Sequence, residues 1–151
     1  KTVRVWDVRK LASGGSKREL HTLGVGAASQ SAYWAPDGSG RILATSRDSL
    51  LRVFDGVHTG KPEQSAAIRH NTCTGRWVVP FRAIWSPDAS AIVIGDMSRR
   101  AEVYDSRKGK KLVGLKNAEL MTAIPSRNCC HPEHVVVAAA TNSGRIHIYR
   151  K

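Results

Sequence analysis

Apolar residues along this chain fall in short runs closed by turn residues. Thr2-Val3-Arg4-Val5-Trp6, Ile42-Leu43-Ala44-Thr45 and Ile92-Val93-Ile94-Gly95 are rich in β-branched residues, and the last two lead into Asp-containing turns. Runs of this length with this punctuation predict short β-strands. No apolar run approaches the length that carries a helix across a membrane.

The strands recur. An aromatic-Asp pair closes a run at Trp6-Asp7, returns at Phe54-Asp55 and Tyr104-Asp105, and fades to Tyr149-Arg150, in steps of 48, 50 and 45 residues. A second landmark keeps the same phase: Trp34-Ala35-Pro36-Asp37-Gly38, Trp85-Ser86-Pro87-Asp88 and Cys130-His131-Pro132-Glu133 lie 51 and 45 residues apart. From each Pro to its aromatic is 18, 17 and 17 residues, so two independent markers share one repeat. Repetition at that period marks an array of supersecondary units.

A period near 45 to 50 with four short strands and a terminal aromatic-Asp resembles the WD-repeat family. The resemblance implies an all-β fold, a C-terminal piece of a β-propeller amounting to about three and a half blades. Residues 1–23 would be strands c and d of one blade, 24–69 and 70–116 two full blades, and 117–151 a last blade lacking its outer strand. Strand c is then Val3 to Trp6, Leu51 to Phe54, Ala101 to Tyr104 and Arg145 to Tyr149. In this family the missing outer strand commonly comes from the N-terminal part of the chain, which would place Lys151 near the natural end. The start at Lys1, without Met and directly in a strand, fits a piece of a longer protein. The Gly-His that usually opens a WD repeat is absent, and only His21 and His70 stand roughly in its place.

One stretch narrows the resemblance. Ile68-Arg69-His70-Asn71-Thr72-Cys73-Thr74-Gly75-Arg76-Trp77, continuing to Phe81-Arg82-Ala83-Ile84-Trp85, looks like the penultimate-blade signature of the WD repeat-containing protein 76 group. Ser143-Gly144-Arg145-Ile146-His147-Ile148 is similar to that group's last blade. The group is related to the small subunit of the damage-specific DNA-binding complex. The resemblance implies a nuclear protein that associates with DNA or nucleosomes, acts in the DNA-damage response, and serves as substrate receptor for a cullin-type ubiquitin ligase. In the small subunit the related loop carries a Phe-Gln-His wedge, whose place is taken here by Gly75-Arg76-Trp77, so lesion recognition is not carried over with it.

Charge points the same way. Lys and Arg number 24 against 12 Asp and Glu, a net +12 that favours polyanionic partners. Antiparallel strands alternate direction, so the d-to-a and b-to-c connections share one face and the a-to-b and c-to-d connections the other. The first face would receive Arg47, Arg76, Arg99, Arg100, Lys116 and Arg145, with Asp48, Asp96 and Glu119 as its acidic residues. Arginine forks onto phosphates, and Trp77 beside Arg76 offers a surface for stacking on a base or wedging into a weak step. Two readings of Trp77 stand: that wedge, or packing between blades, the usual fate of a large aromatic just before a strand. Arg99-Arg100 is alternatively a solvated turn.

On the opposite face Trp6-Asp7-Val8-Arg9 matches the WDxR motif of propellers that dock on the large damage-binding subunit, the ligase adaptor, with Arg9 as the contact. Tyr104-Asp105-Ser106-Arg107 is an imperfect second copy, and Arg107-Lys108-Gly109-Lys110-Lys111 behind it also reads as a solvated loop. In the plain structural reading Trp6 packs, Asp7 bonds within its turn and Arg9 is solvated.

Nothing assembles into an enzyme. Three cysteines, two of them adjacent, make no disulfide framework and point to a reducing compartment, nuclear or cytosolic, of which the resemblance implies the nucleus. Cys129-Cys130-His131 with His134 is the nearest approach to a metal cluster, but structural zinc sites space their cysteines further apart. Gly24-Val25-Gly26 lacks the context of a phosphate loop, and no Ser-His-Asp grouping stands out. No cofactor, metal, small-molecule substrate or membrane is expected. Two function classes remain: a DNA- or chromatin-binding propeller linked to a ubiquitin ligase, and a propeller scaffold gripping an acidic protein or peptide.

Overall fold

The computed structural model describes residues 1–9 and 19–150; Lys151 and residues 10–18 of the expected first blade segment lie outside the described residues. Thirteen strands are described: β1 (Thr2–Val5), β2 (His21–Gly24), β3 (Ser29–Trp34), β4 (Ile42–Ser46), β5 (Leu50–Asp55), β6 (Glu63–Arg69), β7 (Ile84–Trp85), β8 (Ala91–Asp96), β9 (Arg100–Asp105), β10 (Lys111–Leu115), β11 (Pro125–Cys130), β12 (Val136–Thr141) and β13 (Ile146–Arg150). They form four antiparallel sheets, β1-β2, β3-β4-β5-β6, β7-β8-β9-β10 and β11-β12-β13, each a meander in chain order. Trp6 falls just past β1, and β13 starts at Ile146, one residue after the expected Arg145.

The continuous apolar runs follow from sandwiching. A strand buried on both faces loses the polar half of its alternation. Within β4, Ile42 and Ala44 join Leu23, Val25 and Phe54 in a cluster against the first sheet, while Leu43 turns the other way to meet Phe81, Trp85, Ile92 and Ile94. Within β8, Ile92 and Ile94 face back while Val93 joins Ala101, Met121 and Ala139 toward the last sheet. The successive sheets thus stack face to face through three apolar layers.

Polar ties fix the stacking. The Trp85 indole N–H donates to Tyr33 O at 3.0 Å. Arg41 is buried, its guanidinium 5.0 Å over the Trp85 ring, and donates to Ala89 O and Ser106 Oγ of the next sheet at 3.0 and 3.3 Å. Gly95 in β8 lies against the β11 backbone so closely that a Cβ there would run into the Pro125 carbonyl oxygen. Outer strands are exposed, as is β13, where Ile146 and Ile148 are 66% and 61% exposed on a strand with no further neighbour in its sheet.

Candidate nucleic-acid interface

The fourteen residues His70–Ala83 between β6 and β7 organise one face. They are tied back to the β4-β5 turn: His70 N donates to Ser49 O (3.1 Å), Thr72 Oγ1 to Ser46 O (2.8 Å), and Cys73 Sγ to Arg47 O (3.8 Å). They are also tied forward to the last sheet, where Asn142 Nδ2 donates to Trp77 O (3.3 Å) and Arg127 Nη1 to Pro80 O (2.5 Å). The long connection is therefore held among the hairpin turns of both neighbouring sheets.

Gly75 opens a turn with φ +67°, and Trp77 projects from it 89% exposed. The sheets on both sides of its loop are present, so nothing in the stacking covers it. Packing between blades does not describe Trp77. The strand it was expected to precede, β7, is only Ile84–Trp85, and the tryptophan that packs is Trp85, at 7% exposure. Exposing an indole to water is unfavourable on a chain with buried alternatives, which makes Trp77 informative.

Arg47, Arg76, Arg99, Lys116 and Arg145 are exposed and make no ion pair among the described residues. Acidic neighbours do not neutralise them. Asp48 is gripped by Arg52 at 2.6 Å and by Ser46, and the Arg52 hydrogen bond outweighs burial to hold its carboxyl at about 2. Arg100 departs from expectation: its Nε lies 2.9 Å from Glu102 Oε1 and 3.6 Å from Asp96 Oδ1, which commits it to internal carboxylates. Ser49, Arg99 and Gly144 close the three equivalent b-to-c turns, each left-handed, with φ of 61°, 59° and 80°. Glycine suits that conformation, and an arginine adopts it at a cost of about 1–2 kcal/mol.

Beneath the rim lies a buried network. His70 Nδ1 meets Tyr104 OH at 3.1 Å and its Nε2 meets Gly95 O at 2.8 Å, while Tyr104 OH donates to Glu102 at 2.5 Å and Lys111 pairs with Glu102. Burial pushes the Glu102 carboxyl up, but hydrogen bonds from Lys111 and Tyr104 outweigh it and leave it lowered. Ligand atoms of His70, Asp96 and Glu102 lie within 4.8 Å of one another, yet both nitrogens of His70 and both oxygens of Glu102 already have partners. The cluster is a brace between sheets. Cys129 and Cys130 end β11, and His131 Nδ1 accepts from Glu133 N and His134 N, so these residues form the a-to-b turn of the last sheet. Burial and Cys129 push the Cys130 thiol up to about 11.

The opposite face uses its charges locally. Arg9 donates to Asp7 through Nε and Nη2, both at 3.0 Å, and through its backbone N–H at 3.1 Å; the hydrogen bond and the charge of Asp7 raise the guanidinium pKa. Its side chain is nevertheless 90% exposed. Trp6 is 36% exposed. Asp105 caps its own turn by accepting from the N–H groups of Arg107 and Lys108, leaving the Arg107 side chain exposed.

Two arginines outside the expected set stand close together behind the rim loop. Arg82, just ahead of β7, and Arg127, in β11, meet where Arg127 reaches Pro80. Their sequence context is that of ordinary strand residues, and only the convergence of two sheets brings them together.

No protein-family model matches the chain. Four stacked four-stranded or partial meanders with a WD-like repeat define the class: the chain is all-β and forms a partial WD-repeat propeller. It is homologous to WD repeat-containing protein 76, with 34% identity to the Mus musculus protein and 34% to that of Xenopus laevis, in each case over 97% of this chain. DNA damage-binding protein CMR1 of Cryptococcus neoformans is 36% identical over 82% of this chain. The chain spans about a quarter of the length of these relatives, 24%, 26% and 24% respectively. No helix among the described residues is long and apolar enough to cross a membrane.

Proposed function

We propose that this segment is the DNA-contacting part of a nuclear WD-repeat protein of the DNA-damage response, a binding platform without catalysis of its own. Its four sheets are read as successive blades, and the face bearing Trp77 as the one that meets DNA or nucleosomes. The observation that carries the reading is the 89% exposure of Trp77 on a loop braced to both neighbouring sheets. Unpaired Arg47, Arg76, Arg99, Lys116 and Arg145 lie in connections at the same end of the strands, and cations of this kind displace counterions from phosphates. The fungal relatives are DNA damage-binding proteins by name, which supports the same direction. On the opposite face, Trp6, Asp7, Arg9 and Arg107 are proposed to dock a ligase adaptor, the large damage-binding subunit with its cullin, leaving the basic rim free for DNA.

The test uses the full-length protein and fluorescence anisotropy at several salt concentrations, with duplex DNA carrying a mismatch. Trp77→Ala is expected to lower affinity by about 1–3 kcal/mol without changing the salt slope, while Arg76→Ala flattens that slope by about 0.9. A folded Trp77→Ala protein with parental affinity removes the stacking role, and binding displaced by polyglutamate but not by DNA would favour the acidic-protein scaffold instead.

A further inference from the structure

Three successive sheets bring a polar residue each into electrostatic reach of one another: Tyr33 in β3, Arg82 just ahead of β7 and Arg127 in β11. Arg127 donates through Nη1 to Pro80 O at 2.5 Å and to Ser126 O at 3.0 Å, leaving Nε and Nη2 without a protein partner. Arg82, two residues beyond Pro80, is exposed and makes no hydrogen bond or ion pair among the described residues. Burial, and then the charge of Arg82, lower the hold of Arg127 on its proton, while Tyr33 acts in the opposite sense. Two guanidinium groups are thus held together with no carboxylate paired to either, an arrangement that an anion relieves and a forked donor set suits.

The pair is set back from the rim. Pro125 pairs with Thr141 at the rim end of the last sheet, and past a bulge Arg127 pairs with Ala140, one rung further in, roughly 3.4 Å at strand rise. The Trp77 loop is clasped to the same place, by Asn142 on Trp77 O and Arg127 on Pro80 O, and Ser126 Oγ closes the clasp by donating to Asn142 Oδ1 at 2.8 Å. Tryptophan and arginine pair therefore keep a fixed separation. A regular duplex lying across the rim holds its phosphates at the level of the loops, whereas a displaced strand dips between them. An indole that stacks requires an available base, so both features ask for the same kind of strand.

We propose that Arg82 and Arg127 form a phosphate-binding pair at the mouth of the inner-strand space, taking a backbone phosphate of a nucleic-acid strand drawn away from its duplex partner while Trp77 holds a base of that strand. The proposal rests on the DNA-binding reading of the rim and narrows its substrate to locally unpaired DNA.

The test compares, in the full-length protein, a perfect duplex with the same duplex carrying a short unpaired bulge. Arg82→Gln breaks no hydrogen bond or ion pair among the described residues and falls at an exposed position, so folding is expected to be preserved. It is expected to weaken binding of the bulged DNA roughly ten-fold and to flatten its salt slope by about 0.7–0.9, with little change on the perfect duplex. Replacing one bulge phosphate by a neutral methylphosphonate should weaken the parent protein and add nothing to Arg82→Gln. Arg127→Lys, which keeps the charge but not the fork, should lose part of the bulge preference. Equal losses on both DNAs, no loss on either, or polyglutamate displaced selectively by the Arg82→Gln change would each overturn the proposal. If Trp77→Ala weakens binding while Arg82→Gln does not, only this inference fails; if neither does, the DNA reading fails with it.

Discussion

The two faces of this molecule handle the same residue types in opposite ways. On the rim, Arg47, Arg76, Arg99, Lys116 and Arg145 make no ion pair among the described residues, and Asp48 and Asp96 are committed to Arg52 and Arg100 below. On the opposite face, Asp7 holds Arg9, Asp105 caps its turn, Asp37 binds Ser39 and Arg41, and Asp88 binds Ser86 and Ser90. Short turns occur on both faces, so turn formation alone does not explain the difference. The acids of the opposite face are spent within their own turns, although Arg107, Lys108 and Lys110 stay exposed there without an ion pair, while the rim presents five such cations to a polyanion.

The sharpest way to break the comparison is through its tryptophans. Trp85 fills the layer between the two four-stranded sheets, donates to Tyr33 O and lies under Arg41, so Trp85→Ala should cost about 3–5 kcal/mol of stability and damage both faces together. Trp77→Ala should leave the melting curve within about 0.5 kcal/mol of the parent, since exposed positions seldom carry stability. Chemical denaturation of both variants in the full-length protein checks this, and a large loss from Trp77→Ala would end the contrast.

Next in size is the docking face. Arg9→Ala should weaken capture of the ligase adaptor by about 2 kcal/mol, the range of an arginine anchor, while DNA affinity stays unchanged. Because Arg9 is held by Asp7 at 3.0 Å in two places, Asp7→Asn should alter adaptor binding as well, by loosening that grip. A pull-down in which Arg9→Ala keeps the adaptor at parental level removes this site.

Acid should then distinguish the self-satisfied acids. Hydrogen bonds from Ser39, assisted by Arg41, hold Asp37 at about 2 against an ordinary 3.8. A carboxyl lowered on folding contributes stability that is present above its unfolded value and lost as pH falls through its folded one. The parent should therefore exceed Asp37→Asn in stability above about pH 4, with the gap closing between pH 4 and about 2. Denaturant midpoints across that range test it; a gap independent of pH would assign the role of Asp37 to shape instead of charge.

Much of the fold was legible in the sequence because repetition and strand punctuation are local. The aromatic-Asp steps locate the ends of β5 and β9, and the Pro-Asp turns lie between β3 and β4 and between β7 and β8. The site was legible only in part. Trp77 was ambiguous because nothing local shows that β7 shrinks to two residues and leaves a fourteen-residue connection before it. Arg100 reads as a turn cation until its alternation in β9 places it beside Glu102. Arg82 and Arg127 lie 45 residues apart in sequence and meet only where sheets converge.

The smallest effect belongs to Arg99, and it bears on why the rim is basic at all. Gly144 occupies the corresponding position of the last hairpin without strain, whereas Arg99 holds φ of 59° at a cost of about 1–2 kcal/mol. Replacing it by glycine relieves that strain but gives back about 0.5–1 kcal/mol in the entropy of the unfolded chain. Arg99→Gly should thus be neutral or stabilising by up to about 1 kcal/mol. If Arg99 meets a phosphate, the same change should flatten the salt dependence of DNA binding by about 0.9. A more stable protein that binds DNA less well would mark the strain as retained for binding. Arg99→Asn, which tolerates the left-handed conformation without the charge, should reproduce the binding loss with a smaller gain in stability. Parental salt slopes in both variants would instead return Arg99 to the status of a solvated turn residue.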